Sequence, residues 1–195
     1  MPQAATSPAQ GRIVEEPGNG RLQVFPLPTD AATLEAILRE IFTDHWQEIV
    51  FGSLIQGAVF ELRASNPPAK IAMLDGYLTV DFGASHLHIC IGEHLGAPGD
   101  PVEPGVATHR RTARAELYRR LGPSDRPVSW GLQLFNGHDE QQLTVFLPNP
   151  LLDENGQNRE PNWSALALWD GLRRRYLGLD SDPHDRTASR FVHDA

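Results

Sequence analysis

The apolar residues of this chain change their spacing as the sequence proceeds, and each change predicts a different kind of element. Leu34, Ile37, Leu38, Ile41 and Phe42 recur at i, i+3, i+4, i+7 and i+8, which is one stripe of an α-helix, and Thr29 or Asp30 just before them can cap its free amides. From residue 46 to 91 the period falls to two. Turn signals interrupt it at Phe51-Gly52-Ser53, Ser65-Asn66-Pro67-Pro68, Asp75-Gly76 and Gly83-Ala84-Ser85. That pattern predicts an antiparallel meander with strands near 46–51, 53–63, 70–74, 77–82 and 85–91. Upstream, Arg21 to Leu27 reads as a short edge strand, because Pro26 cannot donate to a ladder.

Downstream, residues 92–106 hold four glycines and three prolines in fifteen positions and read as a long irregular loop. A second helix is predicted over 108–121, with Ala113, Leu117 and Leu121 as a thin apolar seam. A hairpin follows, Val128–Phe135 and Gln141–Leu147, with Trp130, Leu132 and Leu134 on one face. The last helix starts at Asn162, buries Ala165, Leu168, Trp169, Leu172 and Tyr176, and ends at Gly178. Arg173, Arg174 and Arg175 stand at its negative end and read as a solvated face. Strands that meander rather than alternate with helices predict an α+β fold: an antiparallel sheet of about six or seven strands, with three helices packed against it. The expected organisation is a flexible segment over 1–20, a single α+β domain over 21–179 and a flexible tail over 180–195.

Charge and composition narrow the function classes. Seventeen basic against 25 acidic residues leave a net charge of −8 over 195 residues, which disfavours nucleic acid and anionic membranes as partners. No apolar run approaches the length of a membrane span, and the first residues lack the charged and apolar blocks of a secretory leader, so the expected location is the cytoplasm. One cysteine, Cys90, excludes an internal disulfide and a multi-cysteine zinc or iron–sulfur centre within one chain. The glycine fingerprints of dinucleotide and P-loop sites and the serine elbow of hydrolases do not occur.

The candidate chemistry lies in Ser85-His86-Leu87-His88-Ile89-Cys90-Ile91-Gly92-Glu93-His94. Alternation puts His86, His88 and Cys90 on one face of a strand and Leu87, Ile89 and Ile91 on the other. Cα atoms two residues apart lie about 6.7 Å from one another and those four apart roughly 13 Å, so a straight strand cannot bring His86 and Cys90 to one ion. His86 and His88 are therefore the primary pair. A His-x-His pair on a strand, completed by a histidine from elsewhere, resembles the site of the alpha-type carbonic anhydrases and, more loosely, the iron sites of cupin-type thiol dioxygenases. The resemblance implies a third ligand, for which His94 stands first and His138 second; a second arrangement joins His88, Cys90 and His94. Glu93 or Asp81 would orient an imidazole, and Glu93 could act as general base on a metal-bound water. The metal would be zinc first, with iron or copper as alternatives. Haem held by a histidine or by Cys90 is a further reading. Arg110, Arg111 and Arg114, beside the loop that begins at His94, form a candidate site for a small anionic molecule. The sequence thus offers a metal-dependent enzyme acting on a small anion, a non-enzymatic metal or haem binder, and a scaffold with incidental histidines.

Overall fold

The computed structural model describes residues 11–16, 20–55 and 58–193. In chain order its elements are β1 (Arg12–Glu16), β2 (Gly20–Pro26), α1 (Ala31–Asp44), β3 (Val50–Gly52), β4 (Leu54–Ile55), β5 (Ala58–Val59), β6 (Lys70–Leu74), β7 (Tyr77–Asp81), β8 (His86–Cys90), β9 (Gly96–Ala97), β10 (Asp100–Pro101), α2 (Pro104–Arg110), β11 (Arg114–Leu121), β12 (Pro127–Phe135), β13 (Gln141–Phe146) and α3 (Ala167–Leu177). Six strands form one antiparallel sheet in the order β1-β2-β11-β12-β13-β3; β6-β7-β8 form a second, and β4-β5 and β9-β10 are small ribbons. This is the α+β class expected, with three α-helices. No helix among the described residues is long and apolar enough to cross a membrane.

Three local expectations fail for identifiable reasons. β2 is not an edge strand, since β1 pairs along it from Arg12↔Val24 to Glu16↔Gly20, and Pro26 merely ends it. All five residues of β1 fall in the stretch expected to be flexible. Residues 114–121 form strand β11 instead of the second half of a helix; the helix there is α2, seven residues long and ended at Arg110. The alternation is hidden because Glu116 and Arg119 are buried among the apolar residues, only 1% and 3% exposed. The glycine- and proline-rich stretch is ordered as well, as the β9-β10 ribbon and the first turns of α2.

The chain packs as two compact units. The first comprises Met1–Leu27, Glu116–Leu132 and Phe146–Ala195. One face of its strands carries Leu22, Val24 and Tyr118 with Val14 packed on them. A side chain at Gly131 would put its Cβ 2.4 Å from the Tyr118 ring, so glycine is what admits the aromatic there. The opposite face meets α3, where Phe25 and Trp169 pack edge to face at 5.9 Å. Among these apolar groups lies a buried cluster of charges. Asp185, fully buried, accepts hydrogen bonds from Trp130 Nε1 at 2.8 Å, Trp169 Nε1 at 2.9 Å, Arg119 Nη1 at 2.8 Å and Arg173 Nη1 at 3.4 Å. Arg119 also donates to Gln23 and Asp182, both at 2.9 Å. Burial pulls the Arg173 guanidinium below its ordinary value, against the attraction of Asp185. Arg173 therefore leaves the solvated face assigned to it, and the stretch after Leu179, expected to be loose, is tied down by Asp182 and Asp185.

The second unit comprises Pro28–Ala115 and Gln133–Val145. In it α1 buries Leu34, Ile37, Leu38, Ile41 and Phe42, the predicted stripe, and Asp30 caps it by accepting from the Thr33 amide at 2.9 Å. Phe42 meets Phe51 edge to face at 5.0 Å, and Phe51 stacks on Phe82.

Replacing Asp185 with Ala strands two buried guanidinium groups and two indole N–H donors. Urea unfolding is expected to show a loss of about 3–5 kcal/mol, whereas Arg174→Ala, at an exposed position, should stay within about 0.5 kcal/mol of the parent.

Candidate functional site

The β6-β7-β8 sheet carries the histidine strand, and its register decides which side chains meet. Asp-Gly is a favoured two-residue hairpin turn because both positions need positive φ, here 46° at Asp75 and 79° at Gly76. That turn joins β6 to β7, and cross-strand partners then form three rows on one face: Lys70, Asp81 and His86; Ala72, Thr79 and His88; Leu74, Tyr77 and Cys90. The other face is apolar, with Leu78 and Val80 fully buried and Ile89 nearly so. The predicted alternation along β8 is therefore what the strand displays.

His86 and His88 are exposed, with ring centroids 4.7 Å apart. His88 Nδ1 lies 2.7 Å from the Thr79 hydroxyl, which orients the ring and leaves Nε2 directed away from that bond. Cys90 is buried, hydrogen-bonded through Sγ to the Gly92 carbonyl at 3.7 Å. Burial pushes its thiol up, only partly offset by Arg110 and Arg111, so at neutral pH it is a protonated thiol rather than the thiolate that binds metals.

The third ligand expected for this site is elsewhere. Gly76 sits beneath the exit of β8: its carbonyl accepts from the Ile91 and Gly92 amides, both at 2.9 Å, and a Cβ on it would come within 2.4 Å of the Glu93 carbonyl oxygen. This close approach brings His94 over Asp75. His94 Nδ1 lies 2.8 Å from Asp75 Oδ2, and Arg110 Nη1 lies 3.1 Å from His94 Nε2. A guanidinium can only donate, so Nε2 is the acceptor and Nδ1 carries the proton that Asp75 accepts. Both ring nitrogens of His94 are thus engaged, and no lone pair is left for an ion. His138 is also elsewhere, stacked on His109 at 3.8 Å, while His109 Nε2 meets Glu140 at 2.7 Å. Among the described residues no group of three or more His, Cys, Asp or Glu is placed to share one metal ion.

Glu93 is exposed and makes no hydrogen bond to a histidine among the described residues. The acceptor that orients an imidazole is Asp75, read from the sequence only as a turn residue. Its role was accessible: a hairpin closed by Gly83-Ala84 pairs 82 with 85, hence 77 with 90, which sets Asp75 opposite Gly92, two residues before His94. Of the three arginines, Arg110 joins His94, and Arg111 is exposed beside it. Arg114 is separate, paired with Asp139 at 2.7 Å and lying 3.4 Å over the Phe135 ring.

Asp75 also accepts the amides of Leu95 at 2.8 Å and Gly96 at 3.0 Å. The Leu95 amide above all, then Gly96 and His94, hold its carboxyl below the usual carboxylate range despite some desolvation. A lowered folded value means that the contribution is complete above the unfolded value of about 4 and is lost as pH falls through the folded one. Hydrogen exchange at the Leu95 and Gly96 amides should accordingly be slow near neutrality, speed up as pH drops below about 4 beyond the intrinsic pH trend, and be fast at all pH values in Asp75→Ala.

Comparison with solved structures places this fold beside a protein from Agrobacterium tumefaciens, AGR_C_4470, with a TM-score of 0.51, 17% identity, and coverage of 77% of this chain and 71% of that one. The haem-binding protein ChuX aligns with a TM-score of 0.49 at 13% identity over 77% of this chain and 74% of its own. A protein from Erwinia carotovora aligns at 0.46 and 14% identity, over 80% and 76%. At these identities the likeness is one of fold. No curated protein sequence matches the chain. Residues 11–178, most of the described structure, match the model of a family of unknown function, DUF7676, and the chain belongs to that family.

Proposed function

We propose that the chain is a binding protein for a metal-centred ligand, engaged through His86 and His88, rather than a metalloenzyme. The observation that carries this reading is the pair itself. Two imidazoles stand side by side on an exposed face, and the Nδ1 of one is held by Thr79. A catalytic zinc takes three protein ligands and keeps one open position, and this face supplies two. A metal that arrives inside a macrocycle has its equatorial positions already filled, and one axial histidine suffices to hold it, as for haem iron. The donor set therefore suits a haem-type ligand better than a bare ion.

The surrounding face fits such a ligand in kind. Ala72 and Leu74 offer apolar surface in the neighbouring rows, and Lys70, the single lysine of the chain, stands in the row of His86. Lys70 could meet a peripheral carboxylate. Thr79 keeps the His88 ring in one orientation through the contact at Nδ1.

Titration with hemin, followed in the Soret region, is expected to give a saturable one-to-one complex. His86→Ala/His88→Ala should weaken it about tenfold or more, a loss of at least roughly 1.4 kcal/mol, and Thr79→Val should weaken it by a factor of about ten. Equal affinity in the parent and the double variant would overturn the reading. A parent that binds zinc or copper(II) stoichiometrically through the same histidines, but not hemin, would replace the macrocycle with a bare ion.

A further inference from the structure

In the second unit an arginine without an acid partner among the described residues stands at Arg110, hydrogen-bonded to His94. Within the same unit Arg39 pairs with Glu35, Arg114 with Asp139 and His109 with Glu140. The Arg110 side chain meets an imidazole instead, its Nη1 lying 3.1 Å from His94 Nε2, and that ring packs edge to face with Tyr77 at 5.0 Å. Its main chain is fixed too, because Gln142 Nε2 donates to the Arg110 carbonyl at 2.6 Å and Thr112 Oγ1 donates to Gln142 Oε1 at 2.8 Å. Asp75, on the far side of that imidazole, is engaged by His94 and by two backbone amides. Arg111 follows directly, exposed and without an ion-pair partner among the described residues. Two adjacent exposed guanidinium groups thus have no acid partner among the described residues of a chain of net charge −8, and one of them is oriented by a hydrogen bond to His94.

We propose that Arg110, supported by His94, Tyr77 and Arg111, is a binding site for the carboxylate group of a small molecule. A planar carboxylate matches the fork of one guanidinium bidentately, and a singly charged group meets less repulsion from Asp75 and Glu93 than a doubly charged phosphate would. His94 acts as a positioning residue: with its proton fixed on Nδ1 by Asp75, Nε2 accepts from Arg110 and aims the remaining donors outward. Arg114, occupied by Asp139 and Phe135, takes no part.

This inference does not draw on the reading of His86 and His88. Its test is an NMR titration of the full chain with acetate and with succinate, following the Arg110 Nε and His94 ring signals at an ionic strength held constant with sodium chloride, and a parallel titration with inorganic phosphate. Saturable shifts with either carboxylate are expected, with affinity reduced at least fivefold in Arg110→Gln and less in Arg111→Gln. Arg174→Gln, a surface control, and His86→Ala/His88→Ala are expected to bind as the parent does. Arg110→Lys, which keeps the charge and loses the fork, should fall between parent and Arg110→Gln, and dispersed amide spectra of both variants establish that they are folded. Shifts that stay linear in concentration, or equal affinity in parent and Arg110→Gln, would overturn the site. Tighter binding of phosphate than of succinate would overturn the carboxylate assignment.

Discussion

A single buried carboxylate fixes the arrangement of the first unit. Asp185 faces two guanidinium groups and two indole N–H groups, and each of these would be costly to bury alone. Trp130 and Trp169 can be fully enclosed only because their polar edges end on this oxygen pair. Arg119 and Arg173 lie 5.6 and 5.0 Å from the Phe25 ring centre, so the cations are lined by an aromatic face on one side and the acid on the other. Asp182 adds a second negative charge for Arg119. Strands β11 and β12, helix α3 and the turn at 183–186 are thereby committed to one geometry, since moving any of them opens a charge to an apolar wall.

The second unit uses its acids differently. Asp75 caps a loop by accepting two amides and one imidazole, and its effect is to decide what His94 can do. With both nitrogens spoken for, His94 is a structural relay to Arg110. His86 and His88, four and two positions before the end of β8 at Cys90 and close to each other, have only one of their four ring nitrogens tied by a side chain among the described residues. The same residue type thus serves two purposes within nine positions, and the difference lies in which lone pairs the neighbours consume.

Much of this was legible in the residues and some was not, for physical reasons. The stripe on α1, the turns at Asp75-Gly76 and Gly83-Ala84, the face shared by His86, His88 and Cys90 and the late hairpin follow from periodicity alone. Strand β11 did not, because Arg119 and Glu116 are buried by partners far away in sequence, and Arg119 and Asp185 are 66 residues apart. Charged residues at inward positions erase the alternation on which the reading depends. His94 was placed near the correct arginine but given the wrong partner, since adjacency along the chain favoured β8 while the register of the β7-β8 hairpin put Asp75 beneath it. The burial of Arg173 was invisible for the reason that hid Arg119.

The place of Asp185 in the chain order has a consequence for how the first unit is made. Arg119, Trp130, Trp169 and Arg173 are all synthesised before the acid that neutralises them. At about 5–20 residues per second, roughly three to thirteen seconds separate the emergence of Arg119 from that of Asp185. Over that interval β11 can pair with β2 but cannot close its charged face, so the nascent strand must keep its guanidinium in water. Completion of this core waits for the ribosome to pass the last acid.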